Sequence, residues 1–564
     1  MAIESGRLLP VVVDEVARKD PSRVWASVPK EGTTIANGFR DITFKNLAAA
    51  INHLCWHLGP KLGQSTNYTT VAYFGPADPS WHIVMLSLAK LGFKLLCSAG
   101  RNSLQMHLNL MEAMDCHIIL HAPGQDIKFI ADARPMRVLE IPSLMELLNY
   151  PVAPAEYSFT KKYEDIKFDP LVVLHTSGST GMPKPIVLRY EYSASADRMS
   201  RLEPFDGRIT WCEEYSKRTR CYIPFPPWHA AGLLVLGAHW SIFGEMIQVF
   251  HSPHLPPNAE AAMGVIKYGN VEKMLSPPSQ LQDLVATEGG LEALSKLSRV
   301  GFAGGPLDTA AGDAISKCTT LHTLVGTTEA NMPGAQYVEN DHWNYTYFRP
   351  DVGVNWRDVG AGVFELVLKR DSKFDKYSSI FATFPQLDEF STSDLYSKHP
   401  TEPNLWKYEG RTDDLIVFAN AGKLNPLAYE EALRTNPHIN AALVIGNGRR
   451  NPSVLLELAE SIPTSLEKIL ETMSSIWHTI EAANAVSPKH GIISRSHILV
   501  ARPNKPFLRT SKGTIRRQVT LTEYKNEIDE LYTSLEEPRP LIEAMPAAES
   551  VNGVHESRET TVAA

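Results

Sequence analysis

Residues 171–185 read LVVLHTSGSTGMPKP, and their types suit the binding of a polyanion. Thr176, Ser177, Ser179 and Thr180 offer four hydroxyl donors within five positions, and Lys184 follows with a positive charge. Gly178 and Gly181 tolerate backbone angles that other residues resist, so successive amide N–H groups can converge on one anion. The pattern is a polyphosphate cradle. It is not the G-x-x-x-x-G-K-[ST] loop, because the lysine follows Pro183 and no hydroxyl residue comes after it. A flexible Ser/Gly linker is the bland alternative, but linkers rarely sit between apolar runs such as LVVLH and IVL.

The cradle needs a rigid base. The apolar run 171–174, bounded by turn residues, predicts a buried strand that delivers the loop at its end. Upstream, apolar residues at helical spacing predict a helix over 44–58, then a strand over 69–74, a helix over 81–91, a strand over 93–97 and a further helix and strand through Ile119. Alternating strands and helices predict an α/β layered fold with largely parallel pairing. Residues 151–169, polar and proline-containing, read as a long surface connection. Downstream, two short strands within 441–458 and an amphipathic helix over 465–483 predict a smaller α+β unit.

Composition restricts the function classes. The 564 residues are 43% hydrophobic and 21% charged with a net charge of -8, which suits a globular protein and disfavours nucleic acid or anionic membrane as a partner. Six scattered cysteines without a C-x-x-C pair signal neither a zinc site nor a disulfide framework, and reduced thiols imply a cytoplasmic home. The N-terminus does not read as a secretion signal, and the most apolar window, 230–243, contains His239 and Trp240 and falls short of a membrane span.

Other segments gain meaning only together. Residues 222–232 read YIPFPPWHAAG and lead into an apolar, helix-like stretch over 233–243. Residues 300–307, VGFAGGPL, look like a strand and glycine-rich turn before a helix over 308–316. LHTLVGTTE ends in Thr327, Thr328 and Glu329, FSTSDL contains Asp394, and GRTDD contains Arg411 and Asp413. Alone, each has a bland reading: a structural histidine, a turn, a turn aspartate. Residues 501–517 carry six Lys or Arg and no acid, a solvated basic run when taken alone.

In their order along the chain these segments resemble the motifs of the adenylate-forming superfamily: acyl-CoA synthetases, luciferases and peptide-synthetase adenylation domains. The string [ST]-S-G-[ST]-T-G-x-P-K at 176–184 is the most specific of them. The resemblance implies a large N-terminal layered α/β domain over 1–410, a small mobile C-terminal α+β lid over 411–535, and a disordered tail over 536–564. It implies that Thr176, Ser177, Gly178, Ser179, Thr180, Gly181 and Lys184 hold ATP phosphates, and that Gly304, Gly305, Pro306 and Thr327 lie against the nucleotide. Thr328 would contact the α-phosphate and Glu329 would hold Mg²⁺, a hard cation that takes oxygen ligands. His229, beside Trp228, would face the acid's carboxylate, Asp394 would accept from the ribose hydroxyls, Arg411 would contact ribose or phosphate, and Asp413 would be the hinge.

The lid's catalytic lysine usually follows a glycine. Here Thr514 follows Gly513, and Lys512 takes the role; the T-x-K-G-T order, with RNS at 101–103, is similar to fungal multidomain adenylate-forming reductases. Val325 stands where relatives commonly carry an aromatic against adenine. Amino-acid-activating relatives carry an aspartate early in the segment after 224, and residues 224–243 contain none, which favours an aryl, keto or alkyl acid.

The expected activity is ATP-dependent adenylation of a small carboxylic acid, with pyrophosphate released and the acyl group passed to a thiol of CoA or of the phosphopantetheine on a separate carrier protein. Two alternatives stay open. One is the stand-alone adenylating part of a reductase or synthetase system whose other modules lie on other chains; the lack of a G-G-x-S attachment motif neither supports nor excludes it. The other is a non-catalytic nucleotide-binding protein on the same fold.

Overall fold

The computed structural model describes residues 6–536 except 101, 151, 178–181, 339, 361, 420–422, 460–465, 488 and 510–512. The first β-α-β run builds a six-stranded sheet in the order Arg137–Glu140, Ile118–His121, Thr70–Phe74, Lys94–Cys97, Pro170–Ser177, Pro183–Arg189. Every pair is parallel except the last, an antiparallel hairpin. Val71, Ala72, Leu95, Leu96, Val172 and Val173 are inaccessible to solvent, as expected where helices cover both faces of a parallel sheet.

A seven-stranded sheet follows, ordered Leu321–Leu324, Arg299–Ala303, Lys273–Ser276, Arg220–Tyr222, Ile247–Val249, Val24–Pro29, Phe39–Thr43, again parallel up to its last, antiparallel strand. The wholly buried helix Ser80–Lys90 touches the helix Phe44–Leu62 and the segment Ala231–Phe243. One hydrophobic cluster runs from Leu8 to Trp406 through these elements. The predicted helices and strands of this half appear within a few residues of their expected ends, but 231–243 winds more widely than an α-helix, as a thirteen-residue π-helix. Its sequence, AGLLVLGAHWSIF, has no polar face to orient it and is buried over 232–243.

A six-stranded antiparallel sheet comes next, ordered Ala335–Gln336, Tyr345–Phe348, Leu405–Arg411, Glu389–Lys398, Val363–Lys369, Val354–Gly360. Beyond it the strands Ile439–Ile445, Ser453–Leu458 and Ile498–Val500 form a separate sheet covered by the helices Pro426–Arg434 and Leu466–Val486. Their buried residues, among them Leu433, Val444, Leu456 and Ile480, make a cluster of their own with no member before Ile416. The fold is thus a large layered α/β unit followed by a small α+β unit. Of the tail expected to be disordered over 536–564, residue 536 ends the helix Lys525–Glu536 and 537–564 lie outside the described residues. No helix among the described residues is long and apolar enough to cross a membrane.

Candidate functional site

Strand Pro170–Ser177 runs on past the expected end at Leu174, so Thr176 and Ser177 belong to the strand and Lys184 to its antiparallel return. Thr176 pairs with Lys184 and Ser177 with Pro183. The apolar run alone marked the strand's core, whereas the hairpin ladder carries it two turn-forming residues further. Gly178, Ser179, Thr180 and Gly181 lie outside the described residues. Lys184 is exposed near the loop end of the hairpin.

The hairpin is one helix away from Glu329. Helix Ser379–Thr383 packs on the strand Pro183–Arg189, and Thr383 Oγ1 donates to the Glu329 carbonyl oxygen at 2.8 Å. Ser379 Oγ also donates to the Tyr192 carbonyl, just beyond that strand, at 3.2 Å. Glu329 itself sits in a tight turn: Thr327 N–H donates to the Asn331 carbonyl and Asn331 N–H to the Thr327 carbonyl, both at 3.0 Å. Thr327 Oγ1 accepts from Ala330 N–H at 3.0 Å, and Asn331 takes φ of 61°, a left-handed conformation that asparagine tolerates better than most residues. Thr328 is buried inside the turn.

Two further carboxylates and one guanidinium complete this wall. Asp394 lies within the strand Glu389–Lys398, where the bland reading expected a loop; the turn-like Ser/Thr sequence survives there as a bulge, with Ser393 at φ of 63°. Arg411, paired across the ladder with Asp394, donates from Nη1 to Asp394 Oδ1 and from Nε to Asp413 Oδ1, each at 3.0 Å. Burial pushes Asp394 up to about 6 despite Arg411, with Asp413 and Glu329 pushing the same way. Burial also raises Glu329, which Arg411 offsets in part. The wall therefore gathers partly buried negative charge that a single guanidinium does not neutralise. A divalent cation on Glu329 fits that shortfall. Among the described residues no three His, Cys, Asp or Glu side chains converge on a metal position.

The glycine-rich turn after the strand Arg299–Ala303 bears on the same site from the other sheet. Gly304 takes φ of 90°, where a side chain would be strained. A Cβ at Gly305 would lie 3.7 Å from Thr514 Cγ2, and one at Gly513 would lie 3.3 Å from Ser279 Oγ. Thr514 and Gly513 come from the small unit, so its basic loop rests over this turn. Lys512 lies outside the described residues. Pro306, exposed, leads into Asp308, which caps the helix Thr309–Ser316 by accepting from Ala311 N–H at 3.0 Å. Glu431 of the small unit accepts from Thr309 N–H and Oγ1 at 3.2 and 2.7 Å. Asp413 occupies the 3₁₀ turn Thr412–Asp414 between the two units.

Trp228 stacks obliquely on Trp81, ring centres 5.6 Å apart. His229 Nδ1 accepts from Ala231 N–H at 3.1 Å, which fixes the imidazole at the mouth of the π-helix. Gly232 is required there, since a Cβ would fall 2.3 Å from the Pro226 carbonyl oxygen. Sequence reasoning missed Thr383 and Glu431: lone hydroxyl and acidic residues far from any motif carry no local signal of the partners they find.

The family model of the AMP-binding enzymes matches residues 14–363, and that of the AMP-binding enzyme C-terminal domain matches 413–536. A carboxylic acid reductase of Neurospora crassa is 35% identical over 546 residues, covering 94% of this chain and 51% of its own. The isocyanide synthase-NRPS hybrid crmA of Aspergillus fumigatus is 30% identical over 535 residues, covering 94% of this chain and 34% of its own. The chain thus spans about half or less of the length of these relatives. Among solved structures, the anthranilate CoA ligase AuaEII in complex with anthranoyl-AMP superposes with a TM-score of 0.68 at 15% identity, over 94% of this chain and 99% of that one. The Bacillus subtilis O-succinylbenzoate coenzyme A synthetase in complex with AMP does so with 0.64 at 16% identity, over 90% and 97%.

Proposed function

Because the chain belongs to the AMP-binding enzyme family, we propose that it joins a carboxylic acid to the α-phosphate of ATP, releases pyrophosphate, and passes the acyl group from the adenylate to a thiol. The observation that carries this reading is the partly buried, under-neutralised group Glu329, Asp394 and Arg411, linked through Thr383 to the phosphate hairpin, with Thr514 of the small unit reaching the glycine-rich turn at Gly305.

A carboxylate resists acyl transfer because its charge is delocalised and its leaving group would be oxide. Exchanging that oxide for AMP removes the obstacle, and the work asked of the protein is positioning and charge neutralisation. Thr176, Ser177, Gly178, Ser179, Thr180 and Gly181 would grip the β- and γ-phosphates through hydroxyl and amide donors, with Lys184 adding charge. Gly304, Gly305 and Pro306 would border the adenine, Asp394 would receive the ribose hydroxyls, and Thr328 would orient the α-phosphate. Mg²⁺ on Glu329 would supply charge neutralisation at the phosphate oxygens. His229 and Lys512 would hold the attacking carboxylate, Lys512 by offsetting the two negative groups as they approach. The hinge at Asp413 and a domain boundary near residue 411 would let the small unit close for adenylation and turn to admit a thiol.

The aspartate-free stretch over 224–243 and the Trp81–Trp228 pair favour an aryl, keto or alkyl acid. The acceptor is CoA or the phosphopantetheine of a separate carrier protein. The test is acid-dependent pyrophosphate release across a panel of acids, with hydroxylamine trapping the adenylate as a hydroxamate. Release with aryl, keto or alkyl acids and not with α-amino acids is the expected result; ATP binding with no release for any acid would make the protein a non-catalytic nucleotide binder. Adding CoA or a loaded carrier then identifies the acceptor.

A further inference from the structure

The end of the strand that bears the phosphate loop is held by backbone pairing on one side only. On one side its pairing with Lys94–Cys97 stops at Val173, two residues short of His175. On the other side the hairpin ladder runs on unbroken through Leu174–Ile186, Thr176–Lys184 and Ser177–Pro183, with Pro185 and Pro183 at alternate positions between residues that keep their N–H. The loop root at 174–177 therefore lacks the ladder on its Lys94–Cys97 side, while the chemistry proposed above requires its donors to be preorganised.

A side-chain network occupies the gap. His175 Nε2 accepts from the backbone N–H of Ala99, just beyond Lys94–Cys97, at 3.2 Å. Asn102 Nδ2 lies 3.4 Å from the same nitrogen and donates to Ser98 Oγ at 3.1 Å. Ser98 Oγ in turn meets the fully buried His107 at Nδ1, 2.8 Å away. Asn102 N–H closes the turn onto the Ala99 carbonyl at 2.9 Å. Burial lowers His175 to about 4, with His107 pushing the same way. The ring is neutral, and because Nε2 accepts, its proton is assigned to Nδ1.

We infer that His175 is a positioning residue for nucleotide binding, fastening the root of the phosphate loop to Ala99 and Asn102 where the ladder with Lys94–Cys97 is missing. This rests on the adenylation reading only in taking the loop's ligand to be a nucleoside triphosphate. Among the described residues, the hydrogen bonds that join the two segments beyond the strand pairing both end on His175 Nε2, so this fastening depends on one acceptor nitrogen. A group that accepts from Ala99 N–H at the same reach should replace it, and one of the same bulk without an acceptor should not. Glutamine satisfies the first condition and phenylalanine the second.

The test uses the full-length protein and measures the ATP dissociation constant directly, without any acid, for wild type, His175→Phe, His175→Gln and Asn102→Ala, with thermal unfolding of each. His175→Phe is expected to weaken ATP binding about tenfold, Asn102→Ala about threefold, and His175→Gln to remain within about threefold of wild type. In turnover, the KM for ATP should rise in His175→Phe while the KM for the acid stays unchanged. Equal ATP affinity in wild type, His175→Phe and Asn102→Ala would overturn the inference and leave adenylation standing. Glutamine failing as badly as phenylalanine would also overturn it. A wild type that binds no ATP at all would refute the nucleotide reading itself. Should His175→Phe fail to fold, Asn102→Ala and His175→Gln decide the matter by the same criteria.

Discussion

Replacing Asp394 with asparagine should make the unliganded protein more stable and a poorer nucleotide binder. The carboxylate is 13% exposed and burial lifts it from the ordinary 3.8 to about 6. Between those values the native state holds a proton that the unfolded chain has released, so stability falls as pH rises through this window and is flat above it. The interval corresponds to about 3 kcal/mol, fully present as a penalty by about pH 7 and nearly absent at about pH 4. Asparagine has no charge to desolvate, and Arg411 keeps its 3.0 Å bond to Asp413, so the substitution strands no cation. Asp394→Asn is therefore expected to gain up to about 3 kcal/mol at about pH 7.5 and less than about 1 at about pH 4.5. Urea unfolding of wild type and variant at both pH values measures the gap. ATP affinity should fall about tenfold with the lost charged acceptor. A variant less stable than wild type at the higher pH, or a gap equal at both, would refute the claim that this carboxylate is held against its desolvation for a ligand.

Three further outcomes follow from the same site. Lys512→Ala is expected to slow adenylate formation at least about a hundredfold, the cost of about 3 to 4 kcal/mol for one preorganised charge, with ATP binding retained; single-turnover hydroxamate trapping checks it. Glu329→Gln should lower the same rate by about a hundred- to a thousandfold and raise the Mg²⁺ concentration needed for half-maximal rate, read from a metal titration. Asp413→Pro should impair transfer to the thiol more than adenylation, and equal loss of both half-reactions would argue against a hinge.

Much of this architecture was legible in the sequence because the elements that build it are locally coded. Strand Thr70–Phe74, helix Ser80–Lys90 and strand Lys94–Cys97 declare themselves by apolar runs and turn residues, and each lies within a residue or two of its expected ends. The segment over 231–243 was less so: with apolar residues on every side, its periodicity selects no face, and its π winding is set by burial between neighbours. Asp394 looked like a turn residue because Ser and Thr crowd around it, yet the ladder with Arg411 makes it part of a strand. Thr383 and Glu431 were invisible, since their partners Glu329 and Thr309 lie 54 and 122 positions away. His175 was visible only as the last residue of an apolar run, and its meaning comes from the ladder with Lys94–Cys97 that stops short beside it and from its contacts with Ala99 and Asn102.

The central claim is that the acid's own oxygen becomes bonded to the α-phosphorus of ATP. A carboxylic acid labelled with ¹⁸O, turned over in the presence of its thiol acceptor, should leave one labelled oxygen in AMP, because the acyl carbon is attacked and the bridging oxygen departs with the nucleotide. Mass spectrometry of the products reads this directly. Label in AMP is the predicted result; label in inorganic phosphate with ADP as the nucleotide product, or AMP formed without label, would contradict the account.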